Sequence, residues 1–139
     1  MKKLDRACLI DDDKIFTYLV SKQMKLMNFC DSLLIFNDGD EALKSLRKII
    51  ETPDYLPSVI LLDINMPILD GWQFLDEFIK FKIARKVTVY IVSSSIDQAD
   101  YIKANTYKEV SNFYIKPITN DNLAEMLDDM ERSGVGNWL

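Results

Sequence analysis

The sequence predicts an α/β fold built on a parallel sheet with helices on both faces. Three features carry that prediction. Five short apolar runs recur along the 139 residues. Longer segments, with apolar and polar residues mixed on a helical period, separate them. Aspartate, asparagine, glycine or proline stands at most of the junctions, as caps and turns require. Strict strand–helix alternation implies βαβ units, whose crossovers cover both sides of the sheet.

Each element follows in order. Residues 6–10 (RACLI) form the first strand, with Cys8 as a buried, inert thiol. Residues 14–29 form a helix, with Ile15, Tyr18, Leu19, Lys22, Met24 and Leu26 on its period. Residues 32–36 are the second strand, and 39–50 the second helix, opened by Asn37 and Asp38 as cap candidates. The stretch 52–57 is a polar break with two prolines, and 58–62 is the third strand. Residues 72–81 form a helix whose apolar face is Phe74, Leu75, Phe78 and Ile79. Residues 87–92 are a strongly β-branched strand. A weakly patterned helix over 97–106 and a short strand over 112–115 follow. The last helix covers 120–132, capped by Thr119 or Asn120, with Leu123, Met126, Leu127 and Met130 as its stripe. No linker, repeat or low-complexity tract divides the chain, so residues 1–132 read as one domain. Residues 133–139 read as a loose tail, with Trp138 and Leu139 at its end.

Composition removes several function classes. The chain has no histidine, which excludes histidine-based acid/base catalysis and histidine-ligated zinc. The net charge of −5 argues against nucleic acid, which requires clustered lysine and arginine. No apolar run approaches the roughly 18 residues of a membrane span, and the first residues lack the apolar core of a signal peptide. A cytoplasmic protein is expected. Its two cysteines, Cys8 and Cys30, are expected to be unpaired.

In open parallel sheets, sites form beyond the carboxyl ends of the strands. The residues found there are polar in all five cases, and four of them converge for a shared reason. The first strand runs into Asp11-Asp12-Asp13, the third into Asp63, the fourth into Ser93-Ser94-Ser95 and the fifth into Lys116-Pro117. The second ends in Asn37-Asp38, to one side. Taken singly, an acidic triplet is ordinary solvated surface or a helix cap, a serine run is a turn, and Lys-Pro closes a strand. Together, at successive strand ends, they compose a site. Converging carboxylates repel unless a cation joins them, and oxygen ligands suit Mg²⁺. A carboxylate can accept a phosphoryl group covalently. That transfer needs positioning and charge neutralisation above all, which Lys116 and the Ser93 hydroxyl would supply.

At these residues the chain resembles the receiver domains of two-component response regulators, over nearly its whole length. The motifs are Leu9-Ile10-Asp11-Asp12-Asp13, Leu62-Asp63-Ile64-Asn65-Met66-Pro67 with Asp70-Gly71, Val92-Ser93-Ser94 and Tyr114-Ile115-Lys116-Pro117. The resemblance implies a flavodoxin-like, doubly wound (βα)₅ sheet of order 2-1-3-4-5. It implies Asp63 as phosphoacceptor, Asp12 as direct Mg²⁺ ligand, Asp11 acting through water, and the backbone carbonyl of Asn65 as a further ligand. Ser93, Phe113 and Lys116 would be the switch residues that respond to the phosphoryl group. The donor would be a histidine kinase or histidine phosphotransfer protein. The reader would be an unidentified protein, on the face of the fourth helix, fifth strand and fifth helix. No membrane or nucleic acid is expected as partner, and the chain reads as a stand-alone switch without an output domain.

The chain departs from the family pattern at Glu109, Val110 and Asn112, where small residues are common, and at Phe113, which replaces the more usual tyrosine. One extra residue separates Ser93 from Lys116 relative to chemotaxis-type spacing. Asn65 and Ser95 occupy positions that tune hydrolysis in the family. Two rival readings are a Mg²⁺-dependent phosphohydrolase with an aspartate nucleophile and a degenerate receiver that only binds. The first usually needs a second carboxylate two residues after the nucleophile, where this chain has Asn65. The second is opposed by the intact Asp12, Asp63, Ser93 and Lys116.

Overall fold

The computed structural model describes residues 3–94 and 97–133. Its elements run β1 (Leu4–Ile10), α1 (Lys14–Met27), β2 (Cys30–Phe36), α2 (Gly39–Arg47), β3 (Val59–Leu62), α3 (Gly71–Phe78), β4 (Thr88–Ser93), α4 (Gln98–Ala104), β5 (Val110–Ile115) and α5 (Asn120–Arg132). The five strands form one sheet in the order β2-β1-β3-β4-β5, and every neighbouring pair is parallel. The fold expected from the sequence is thus the fold found. Ser95 and the tail from residue 134, including Trp138 and Leu139, lie outside the described residues.

Two cores flank the sheet, because successive side chains along a strand point to opposite faces. Cys8, Ile10, Ile60, Leu62, Val89 and Ile91 face α2 and α3, where they meet Leu43, Leu46, Phe74, Leu75 and Phe78. Ala7, Leu9, Val59, Leu61, Tyr90 and Val92 face α1 and α5, where they meet Val20, Met24, Leu123, Met126, Leu127 and Met130. All four expected apolar residues of α5 are buried. Cys8 is fully buried, which pushes its thiol pKa up, and neither cysteine is bridged.

Helix α1 departs from its sequence reading. Its buried stripe is Thr17, Val20 and Met24, whereas Ile15, Tyr18, Leu19 and Leu26 are exposed. The helix is apolar on more than one side, so its period alone does not select the face that packs. It also stops two residues early, where Asn28 takes a left-handed conformation and its N–H bonds back to Met24 and Lys25. Ile79, expected in the face of α3, is instead its exposed C-cap.

The register of β4 against β5 shifts between Val89↔Val110 and Tyr90↔Asn112, leaving Ser111 in a bulge. This bulge lies in the stretch that carries one residue more than the chemotaxis-type spacing. The Ser111 hydroxyl donates to Asp129 of α5 at 2.6 Å, beside the Tyr90 hydroxyl, which donates to the same carboxylate oxygen. Tyr114 OH donates to Glu125 one turn earlier, at 2.7 Å. Helix α5 is therefore tied to β4 and β5 by side-chain hydrogen bonds as well as by its apolar stripe.

Candidate functional site

Backbone hydrogen bonds continue just past the strand ends and set the site residues in register. Asp11 N donates to Phe36 O at 3.0 Å, Asp63 N to Ile10 O at 2.9 Å, and Lys116 N to Ser93 O at 2.9 Å. The acidic triplet then divides its work. The Asp13 side chain caps α1, accepting from Ile15 N and Phe16 N. Asp11 Oδ1 accepts from Asp13 N at 2.9 Å, while Asp12 is exposed.

The loop after β3 closes tightly beneath Asp63. Gly71 N donates to Ile64 O at 3.1 Å, and Asp70 forms a capping box with Gln73. A Cβ on Gly71 would collide with Asp63 O and lie 2.6 Å from Ile64 Cα. Only glycine allows this approach, which accounts for the Asp70-Gly71 pair read in the sequence.

Asp11 and Asp63 are buried. With exposed Asp12 they bring one oxygen each within 4.8 Å of one another. The Lys116 ammonium lies 2.8 Å from Asp11 Oδ2 and 3.8 Å from Asp63 Oδ2. Its nearest carboxylate is therefore Asp11. It also lies 4.2 Å from the centroid of the Phe16 ring. Asp11 Oδ2 is buried and meets the ammonium as a charge, without a well-formed hydrogen bond. One ammonium cannot neutralise three carboxylates. Burial, followed by the neighbouring charge of Asp11, pushes the Asp63 carboxyl up to about 6. Burial likewise raises Asp11, against the pull of Lys116.

This donor set fits a hard divalent cation. Its oxygens are carboxylate, the surplus charge is negative, and Asp11 Oδ2 is a buried acceptor lacking a directional partner. Asp11, Asp12 and Asp63 would hold the ion.

Asn65 joins the site in a way the sequence reading missed. Its N–H donates to Asp63 Oδ1 at 3.2 Å, and its side-chain amide donates to the Ser93 hydroxyl at 3.3 Å. Ser93 is fully buried at the end of β4. Phe113 is half-buried on β5 and meets Tyr101 of α4 edge-on, ring centroids 6.0 Å apart. Phe16 was also missed, and Asn37, read as a cap candidate at the side of the site, leaves the capping of α2 to Asp38 and bonds to the site's backbone. The Asn37 amide donates to Asp11 O at 3.3 Å. A sequence signal existed for Phe16: if Asp13 caps the helix, position 16 falls in its first turn, beside the acidic triplet.

The arrangement presents one buried carboxylate at the tip of a central strand, flanked by two more, an ammonium and a hydroxyl. The profile of the response regulator receiver domain family matches residues 7–128. The two component response regulator of Cytophaga hutchinsonii has a similar structure, with a TM-score of 0.84 and 29% identity, covering 94% of this chain and 99% of that one. Response regulator Rcp1 of Synechocystis is 28% identical over 88% of this chain and 84% of its own length. The Mn²⁺-bound structure of Rcp1 has a TM-score of 0.70, with 94% of each chain covered and 26% identity. A segment amounting to 14% of the sensor histidine kinase CheAY of Helicobacter pylori is 25% identical over 85% of this chain. The chain belongs to the response regulator receiver domain family.

Proposed function

We propose that this protein is a phosphorylation-dependent switch that accepts a phosphoryl group on Asp63. The observation that carries the reading is the crowding at the strand ends. Oxygens of three carboxylates lie within 4.8 Å of one another, and the Lys116 ammonium lies 3.8 Å from one of those groups, Asp63. A carboxylate oxygen of Asp63 forms the new bond to phosphorus as the donor's bond to phosphorus breaks, and the donor departs with that electron pair. Membership of the family makes the donor a phosphohistidine on a histidine kinase or phosphotransfer protein, which agrees with a chain that has no histidine of its own.

Mg²⁺, held by Asp11, Asp12, Asp63 and the Asn65 carbonyl, would neutralise charge on the phosphoryl oxygens. Asp11 would act largely through water. Lys116 supplies the second positive charge, and the Ser93 hydroxyl, whose oxygen accepts from the Asn65 amide, turns its own proton toward a phosphoryl oxygen. Phosphorylation adds charge and strong acceptors to a nearly closed site. It thereby biases Ser93, Lys116 and Phe113 between two packings. Phe113 touches Tyr101 of α4. Tyr101, Ile102 and Ile115 are exposed on the α4–β5 face, and a shift there alters the surface offered to a partner protein. The product is a changed surface, so the domain acts as a signalling switch.

Labelling with acetyl phosphate tests the assignment. Wild-type protein should label in Mg²⁺ and fail to do so in excess chelator, and Asp63→Ala should not label at all. Label retained by Asp63→Ala would sink it. The Lys116→Ala variant should take up some phosphate yet bind its partner identically with and without it.

A further inference from the structure

We propose that Phe16 is a positioning residue for Lys116: its ring face is a seat that holds the ammonium within reach of Asp63 when Asp11 is engaged elsewhere. The inference rests on the phosphoacceptor reading for its purpose, though its geometry stands independently.

Three groups surround the ammonium. Asp11 Oδ2 is 2.8 Å away, Asp63 Oδ2 is 3.8 Å away, and the Phe16 ring centroid is 4.2 Å away. The last distance is well inside the roughly 6 Å over which an aromatic face attracts a cation. The Lys116 side chain retains only 15% exposure, so that attraction is weakly screened by water.

The ring reaches this position through the residues that build the site. Asp11 Oδ1 anchors Asp13 N, and Asp13 Oδ1 caps α1 through Ile15 N and Phe16 N. One run of six residues, from 11 to 16, therefore sets both the carboxylate and the aromatic face that flank the ammonium. The two partners differ in one chemical respect. A carboxylate attracts an ammonium and a hard metal alike, whereas a phenyl ring offers no oxygen to a hydrated divalent ion. When a metal draws on the Asp11 carboxylate, the ring remains available to Lys116 alone. The ammonium stays at the mouth of the site and need move only a short distance to meet charge arriving on Asp63.

The test compares Phe16→Leu with Phe16→Tyr. In protein exposed to neither metal nor phosphodonor, the ε-methylene protons of Lys116 should resonate upfield because they lie against the ring. That shift should vanish in Phe16→Leu and persist in Phe16→Tyr, with the remaining amide spectrum unchanged outside the first turn of α1. The rate of acetyl phosphate labelling should fall about two- to thirtyfold in Phe16→Leu, the span expected for a lost cation–aromatic contact. Phe16→Tyr should restore it. An upfield shift absent from wild type, or a Phe16→Leu protein that labels at the wild-type rate, would overturn the proposal. A tyrosine variant as slow as the leucine variant would also overturn it. The resonance is read before any phosphodonor is added, so its failure is distinct from a failure of Asp63 to label.

Discussion

The two ends of the sheet each hold a carboxylate beside a cation, with opposite results. At the amino end, Asp5 of β1 accepts from Arg85 at 2.8 Å, from Ser58 at 3.0 Å and from Arg6 N at 2.7 Å. The buried guanidinium also donates to Ser58 at 2.6 Å and to Leu56 O at 2.9 Å. Burial alone would raise the Asp5 carboxyl, yet these bonds outweigh it and hold the group below its ordinary range. At the carboxyl end, three carboxylates share one ammonium, and Asp63 is pushed up to about 6. Arginine, with its fork of five donors, satisfies several acceptors at once. The difference separates scaffold from site: a carboxylate matched by several donors staples β1 to the segments before β3 and β4, although Arg85 Nε is left without a partner, and surplus negative charge collects at the carboxyl end, where the proposed function would place a metal and a phosphoryl group.

The largest test of this contrast breaks the staple. Arg85→Ala removes a cation whose side chain is only 4% exposed, from a partner that is 42% exposed. The loss should be about 2–4 kcal/mol, below the full penalty for a wholly buried pair. Chemical denaturation measures it. Folded Arg85→Ala protein should still label on Asp63; loss of labelling in folded protein would break the separation of the two ends.

The opposite sign is expected at the site. Asp63→Asn removes the crowded carboxylate and keeps an acceptor for Asn65 N. Without metal near pH 7 it should stabilise the fold by about 1–3 kcal/mol. A destabilised variant would show that the crowding is already relieved.

The smallest effect is the pH dependence. The folded state holds a proton on Asp63 up to about 6, against 3.8 as the ordinary value. The cost of ionising it is absent below the unfolded value, grows as the pH climbs, and is complete above the folded value. In chelator, the protein should lose stability between about pH 4 and 6, and Asp63→Asn should lose less. No histidine titrates in that window, and Asp11, also raised by burial, contributes with the same sign, so the difference between wild type and Asp63→Asn isolates Asp63. Asp5 works the other way, its contribution being lost only as the pH falls through its depressed value.

The fold was legible because its signals are local. The strand runs stand out by composition. Asp13, Asp38, Asp70, Asp97 and Thr119 each cap a helix with a side chain one turn from the groups it satisfies. The site was legible for a related reason: a parallel sheet brings its strand ends together, so Asp11, Asp63, Ser93 and Lys116 could be named by position alone. The exposed Ile15, Tyr18, Leu19 and Leu26 were not legible as surface, since local period does not say which apolar side of α1 meets the sheet.

The sequence by itself determined the alternation of elements and the residue types delivered to the sheet's carboxyl edge. Tertiary structure alone decided the partners. Lys116 lies nearer Asp11 than Asp63 and faces Phe16, and the Asn65 amide donates to Ser93. The physical reason is range. Propensity and capping act within a turn of the chain, whereas a charge settles among whatever oxygens and rings the packed elements bring within a few ångströms, however far apart they stand in sequence.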